Sequence, residues 1–304
     1  GMHRWFTVAF PENVDLEVAA QSLAAVESVE RVQFATKVVA PTAKITEVDP
    51  SQFAQTRSEE LPYNDPMLSK QWHYRNLGLS ETYPNAKAGA DVNLFPAWEI
   101  TAGRNDVIVA VVDEGVCYTH ADLKDNMWVN EAEANGAEGV DDDNNGYVDD
   151  VYGLNAVKGN GNITWDRGQF VPDGKGGEEW DGDTGHGTHV AGTVAAVNNN
   201  GIGVAGVAGG SGNGDGVRIM SIQIFDGTDP SGLANNAAGI EYAADMGASV
   251  LQNSWGYPTD PAQMSDSVYE QYYGVEHAAL KYFQNKDNCP AMKGGVVIFA
   301  AGNE

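Results

Sequence analysis

Apolar residues gather in this chain into short runs parted by glycine-rich polar stretches. Residues 107–113 (VIVAVVD) form an unbroken, β-branched run that ends in an acid, the pattern of a strand buried on both faces of a parallel sheet. Residues 218–225 (RIMSIQIF) alternate and read as a strand, and 250–256 (VLQNSWG) and 296–304 (VVIFAAGNE) read as two more. Residues 232–246 and 265–283 read as helices between them, the second carrying Tyr269, Tyr272, Tyr273, Tyr282 and Phe283 as packing groups. Strands alternating with helices predict an α/β fold with a doubly wound parallel sheet, and 36 glycines suit its many tight turns. Asp113 then stands at the carboxyl end of a strand, where open α/β sheets place their sites. Nearer the start, residues 5–10 (WFTVAF) read as a strand. Asp15 can cap a helix reaching Ser28 with Leu16, Ala19, Ala20, Leu23 and Val26 on one face, and residues 29–39 read as a second strand. Residues 41–65, with Pro41, Pro50, Pro62 and many Ser, Thr and Gln, read as an exposed linker. No internal repeat is evident.

Four strings follow one another on this framework: the strand ending in Asp113, HGTHVAGT from His186 to Thr193, NSWG from Asn253 to Gly256 and AAGN from Ala300 to Asn303. Gly187, Ala191, Gly192, Ala195 and Ala196 suit a helix packed closely on a neighbour. Together the strings resemble the motifs of the subtilisin-like serine proteases, the subtilases, which activate a serine with a histidine held in its useful tautomer by an aspartate, in the chain order Asp, His, Ser. The resemblance implies an orienting role for Asp113 and a general acid/base role for His186, with His189 as a structural neighbour. It also implies a substrate-binding strand and turn at Ser254, Trp255 and Gly256, which would pair with an extended peptide, and an oxyanion-hole role for Asn303. Glu114 departs from the family, which has Thr or Ser after the aspartate; it flanks the acid without replacing it. The family's nucleophile lies in a Gly-Thr-Ser-Met-Ala type string beyond the oxyanion asparagine, and no such string occurs in these 304 residues. The polypeptide by itself is therefore expected to be inactive, a piece of a longer proprotein.

The start of the chain resembles half of the family's inhibitory propeptide, a ferredoxin-like α+β domain, and is most like its second half. This divides the chain into a partial propeptide (1–40), a processing linker (41–65) and the N-terminal part of a catalytic domain (66–304), and residues 64–78, across the last boundary, resemble the opening of mature secreted subtilases. The implied partners are a protein or peptide substrate and the chain's own propeptide, with self-association through an unfinished sheet edge.

Charge narrows the picture further. Lys and Arg number 17 against 43 Asp and Glu, a net charge of −26, which argues against nucleic acid as a partner and suits a secreted, periplasmic or cell-surface protein that binds cations. The densest acidic stretch, DDDNNGYVDD at 141–150, matches a calcium loop in spacing: Asp141, Asp143, Asn145, Tyr147 and Asp149 fall at positions 1, 3, 5, 7 and 9. Position 12 is Tyr152 rather than Glu, so either Asp150 supplies the last ligand or the site is more open. The family resemblance alone implies a second calcium site from Asp122, Gln71 and the loop at Asn199, with Ala121 in place of the family's proline. No run of about 18 apolar residues predicts a membrane span, no signal peptide opens the chain, and Gly1-Met2 reads as a tag remnant. Cys117 and Cys289 are too few for a disulfide scaffold; a single bridge or two thiols fit, the thiols better. Two other readings compete: a metal hydrolase using His186, His189 and Asp113 as ligands, and a noncatalytic calcium-binding module.

Overall fold

A computed structural model describes residues 6, 8–11, 13–34, 61–78, 85–165, 168–172, 178–227, 235–257 and 264–302. Its centre is a five-stranded parallel sheet built from β1 (Ile108–Glu114), β2 (Gly153–Asn155), β5 (Arg218–Phe225), β6 (Val250–Asn253) and β7 (Val296–Phe299), in the spatial order β2-β5-β1-β6-β7. A separate antiparallel hairpin joins β3 (Gln169–Pro172) to β4 (Glu178–Asp181). β1 lies in the middle, flanked by β5 and β6, and every one of its residues is buried. That position accounts for its unbroken apolar run, since side chains alternating across a sheet covered on both faces all meet other side chains.

The alternation sorts the core into two layers. Val109 and Val111 face α4 (His186–Ala195), packing with Ala191, Ala195, Leu123 and Ile219. Ile108, Ala110 and Val112 face the other way, toward α5 (Asn236–Asp245) and α6 (Asp266–Asn285), where Ile240, Ala243, Leu251 and Phe283 are fully buried. A third cluster gathers Leu68, Tyr74, Leu94, Trp98 and Ala205, the Leu94 and Trp98 pair coming from the short α2 (Leu94–Trp98). The doubly wound architecture is the expected one. Cys117 and Cys289 are free thiols. Among the described residues no helix is long and apolar enough to cross a membrane.

Of the N-terminal expectation the helix forms, ending at Ala24 rather than Ser28, while the described parts of the two strands do not form. In α1 (Leu16–Ala24) the Asp15 carboxylate accepts from the Glu17 and Val18 N–H groups at 3.0 and 3.2 Å, the predicted cap. Phe6, residues 8–11 and residues 29–34 belong to no strand. Phe6 and Val8 are exposed. Residues 35–60, which hold the rest of the second predicted strand and most of the linker, lie outside the described residues. The 29–34 segment instead reaches α6 where Tyr273 breaks the helix at φ −126°: Gln33 Oε1 accepts from the Val275 N–H at 3.1 Å, and Gln33 Nε2 donates to Glu276 at 3.2 Å.

Candidate active site

Asp113 shares the parity of Val109 and Val111 along β1, so its side chain faces α4. The first residue of α4 is His186, and its Nδ1 lies 2.8 and 2.9 Å from the two carboxylate oxygens of Asp113. The Asp113 side chain is 2 % exposed and that of His186 24 %: the acid is enclosed while the imidazole keeps an open edge. Burial pushes the Asp113 carboxyl above its ordinary range, opposed by the His186 hydrogen bonds and by the Glu114 N–H at 2.7 Å. The carboxylate in turn holds the imidazole above its usual value, against the lowering effect of burial. With Nδ1 committed to Asp113, Nε2 is the nitrogen left to exchange a proton.

Two glycines let the helix start here. Gly185 caps it in the left-handed region at φ +80° with no side-chain hydrogen bond, a conformation glycine adopts without steric penalty. Gly187 sits against β1 so closely that a Cβ would stand 2.1 Å from the Glu114 carbonyl oxygen. Glu114 itself is an unforeseen member of the site. The register between β1 and β5 slips at this point, pairing Asp113 with Gln223 but Glu114 with Phe225. The extra residue of the slip is Ile224 on β5, and regular pairing of β1 ends at Glu114. The buried Glu114 carboxylate accepts from the His186 N–H at 2.9 Å, the Thr184 N–H at 3.1 Å and the Thr184 hydroxyl at 3.0 Å. The only sequence signal for this was a carboxylate where the related motif has a hydroxyl.

β6 and β7 end beside one another, Asn253 in register with Phe299, and the Ala300 N–H donates to the Asn253 carbonyl at 2.9 Å. Ser254 and Trp255 are both buried. The Ser254 hydroxyl accepts from Gln252 Nε2 at 2.7 Å, and the Trp255 indole donates to Asn253 Oδ1 at 3.1 Å while packing against Tyr257 and Phe299. The Trp255 side chain is thus a core group, and what 254–256 can offer a ligand is backbone. Asn303 lies outside the described residues.

A match to the peptidase S8 subtilase family runs from residue 104 to 304. The chain belongs to the subtilase family. It is 32 % identical over 197 residues to subtilisin-like protease 1 of Plasmodium berghei, covering 64 % of this chain and 29 % of that protein. It is 29 % identical over 269 residues to an extracellular protease of Xanthomonas campestris, covering 87 % of this chain and 38 % of that one. The subtilase spans well under half the length of these relatives. In fold it resembles the crystal structure of a serine protease from Aeromonas sobria, with a TM-score of 0.51 at 24 % identity over 87 % of this chain and 36 % of the other.

The acidic loop of this subtilase closes on itself unevenly. Asp141 accepts from the Asn145 and Gly146 N–H groups at 3.1 and 2.9 Å, and Asp149, at φ +54°, accepts from the Gly139 N–H at 3.1 and 3.0 Å. Asp143 and Asp150 instead converge with Glu133 of the short α3 (Glu131–Ala134), their ligand atoms within 4.8 Å of one another. Asn145 Nδ2 bridges Asp143 and Asp150 at 3.1 and 3.0 Å, and Tyr242 of α5 donates its hydroxyl to Asp150; burial of the phenol, and then the Asp150 charge, raise it well above its ordinary range. Asp150 is fully buried, yet its Oδ1 has no hydrogen-bond partner. An unsatisfied buried carboxylate oxygen among two further carboxylates fits a hard divalent cation, which takes oxygen ligands and offsets the crowded charge. Glu133 went unnoticed in the sequence because it lies eight residues upstream of the loop; its carboxylate accepts from the Asp142, Asp143 and Asp149 N–H groups at 2.7, 3.3 and 2.9 Å. The Tyr147 ring packs edge-on to Tyr242, leaving its backbone carbonyl as the group a loop of this kind would use.

Around Asp122 the structure gathers a second acidic pair. Asp122 accepts from Asn200 Nδ2 at 2.7 Å and the Val204 N–H at 3.0 Å, and Asp65 accepts from the Asn199 N–H at 2.8 Å. Burial raises both carboxyls above their usual range. The Gln71 side chain is occupied by Ala205, donating to its carbonyl and accepting from its N–H, both at 2.8 Å, and Asn199 Oδ1 accepts from the Asn64 N–H at 3.3 Å. Asp65 was not foreseen.

Proposed function

We propose that the chain is part of a secreted, calcium-stabilised serine endopeptidase, with Asp113 orienting and His186 exchanging protons at Nε2. The observation that carries this reading is the double contact of His186 Nδ1 with a buried carboxylate while the opposite ring edge stays open. That arrangement fixes the tautomer in which Nε2 is unprotonated. It also stabilises the imidazolium formed when a serine hydroxyl gives up its proton, which His186 then passes to the leaving amine. The serine comes from sequence outside these residues, so the chain alone does not hydrolyse peptides. The backbone of 254–256 pairs with the substrate as an added strand, and Asn303 donates to the developing oxyanion. Both carboxylate oxygens of Asp113 face Nδ1, which favours this reading over shared metal ligation by Asp113, His186 and the exposed His189. Calcium is held by Glu133, Asp143 and Asp150 and there supplies charge neutralisation that ties α3, the acidic loop and, through Asp150, Tyr242 of α5 together. Localisation outside the cytoplasm follows the extracellular protease to which the chain is similar.

The test is the parent protein at full length, assayed for casein hydrolysis and for self-cleavage within residues 50–66, beside His186→Ala. Activity abolished by the substitution supports the reading. An inert parent with calcium present overturns it in favour of a calcium-binding pseudoprotease.

A further inference from the structure

Glu114 is placed unlike any ordinary surface acid. It follows the orienting aspartate directly, is buried, and spends its carboxylate on the first turn of the helix that begins with His186. Gly185 leaves that helix without a side-chain cap of its own, so Glu114 caps it from β1. A negative charge at a helix N-terminus is favourable, and the Gly187 approach to the Glu114 carbonyl closes the same junction from the backbone side. His186 is therefore gripped twice by adjacent residues of one strand: its ring by Asp113, its main chain by Glu114.

We propose that Glu114 is a positioning residue for His186, holding the start of α4 so that the imidazole stays on Asp113 while it gains and loses its proton. The inference rests on His186 being the acid/base group of the proposed endopeptidase. The charged and titratable groups facing that imidazole are Asp113 and Glu114 from β1; His189 lies one turn further along α4 and is exposed. Thr184 completes the grip by donating both its N–H and its hydroxyl to Glu114.

The experiment uses the 304-residue chain itself, with histidine isotopically labelled, and reads the His186 ring by NMR. In the wild type we expect a low-field Nδ1–H proton from the bond to Asp113 and a raised imidazole titration. Glu114→Gln keeps the shape without the charge; it should broaden or abolish the low-field proton and lower the His186 titration midpoint, while the amide signals of β1 and β5 stay in place. Glu114→Asp keeps the charge but shortens the reach; it should weaken the Nδ1–H signal with a smaller change in midpoint. An unchanged ring proton and midpoint in Glu114→Gln overturns the proposal. So does global loss of the amide spectrum in both variants, which would make Glu114 a holder of the whole fold. Because these readouts need no turnover, an inert full-length parent would count against the endopeptidase reading and leave the grip on His186 to be judged by the ring alone.

Discussion

Gly187 and Gly192 lie on the same helix and predict opposite responses to the same substitution. An alanine methyl at 187 would stand 2.1 Å from the Glu114 carbonyl oxygen and 2.8 Å from its carbon, both backbone atoms of a buried strand. Relief to an ordinary contact, which begins at 3.4 Å, requires α4 to move from β1 by more than about 1 Å. The same movement carries His186 from 2.8 Å to beyond hydrogen-bond reach of Asp113 and pulls the His186 N–H off Glu114. Overpacking of this kind costs roughly 1–3 kcal/mol, and a weakened hydrogen bond to a buried charge roughly 1.5–3 kcal/mol more. A gain of up to about 1 kcal/mol in helix propensity offsets part of this. Gly187→Ala should therefore destabilise by about 1.5–5 kcal/mol. At Gly192 a methyl meets nothing within 4 Å, so the propensity gain stands alone and Gly192→Ala should stabilise by about 0.5–1 kcal/mol. Urea midpoints followed by tryptophan fluorescence resolve the difference. Equal midpoints for the two variants would refute the close approach of α4 to β1.

Three further outcomes are expected. Because the folded His186 titrates above its unfolded value near 6.5, the folded state holds the extra proton between those two points, and stability from this group falls as pH rises through that window. Asp113→Asn should flatten the fall in a series of urea midpoints against pH, and a slope identical to wild type would contradict the contact. Calcium at about 100 times its dissociation constant should add about 2.7 kcal/mol to unfolding. Glu133→Gln and Asp150→Asn should each remove that gain, as read by thermal melting with and without the ion, and an unaltered response in both would exclude the cluster. Phe283→Ala, truncating a fully buried ring on the α6 side of the sheet, should cost about 3–5 kcal/mol and leave the His186 ring proton where it is, which the same NMR spectrum checks.

The parts of this molecule legible in its sequence are those where local pattern and burial agree. VIVAVVD could be read as a central strand because both its faces are covered, and the acid that ends the run put Asp113 at the strand's carboxyl end before any neighbour was known. HGTH was legible because the glycines that permit the close approach are neighbours in the chain to the histidine they serve. Glu133 and Asp65 were not legible, since each joins its acidic cluster from another segment, and such contacts leave no spacing to read. Glu114 was visible only as an oddity; the groups it serves, Thr184 and the His186 N–H, lie 70 and 72 residues further along the chain, and no periodicity announces them. The described parts of the strands expected before and after α1 belong to no strand, because propensity alone does not supply a partner backbone. Trp255 stood in a motif read as ligand-facing, yet the indole found more apolar surface inward, where Tyr257 and Phe299 surround it.

The parity of β1 also divides labour between the two sides of the sheet. Asp113, Glu114 and His186 work on the α4 side, while Tyr242, which ties α5 to Asp150, belongs to the opposite layer. Sequence drift or engineering in the α5 and α6 layer can thus retune heat tolerance and cation dependence while the proton-handling side is left intact, each half of the molecule open to selection for a different property.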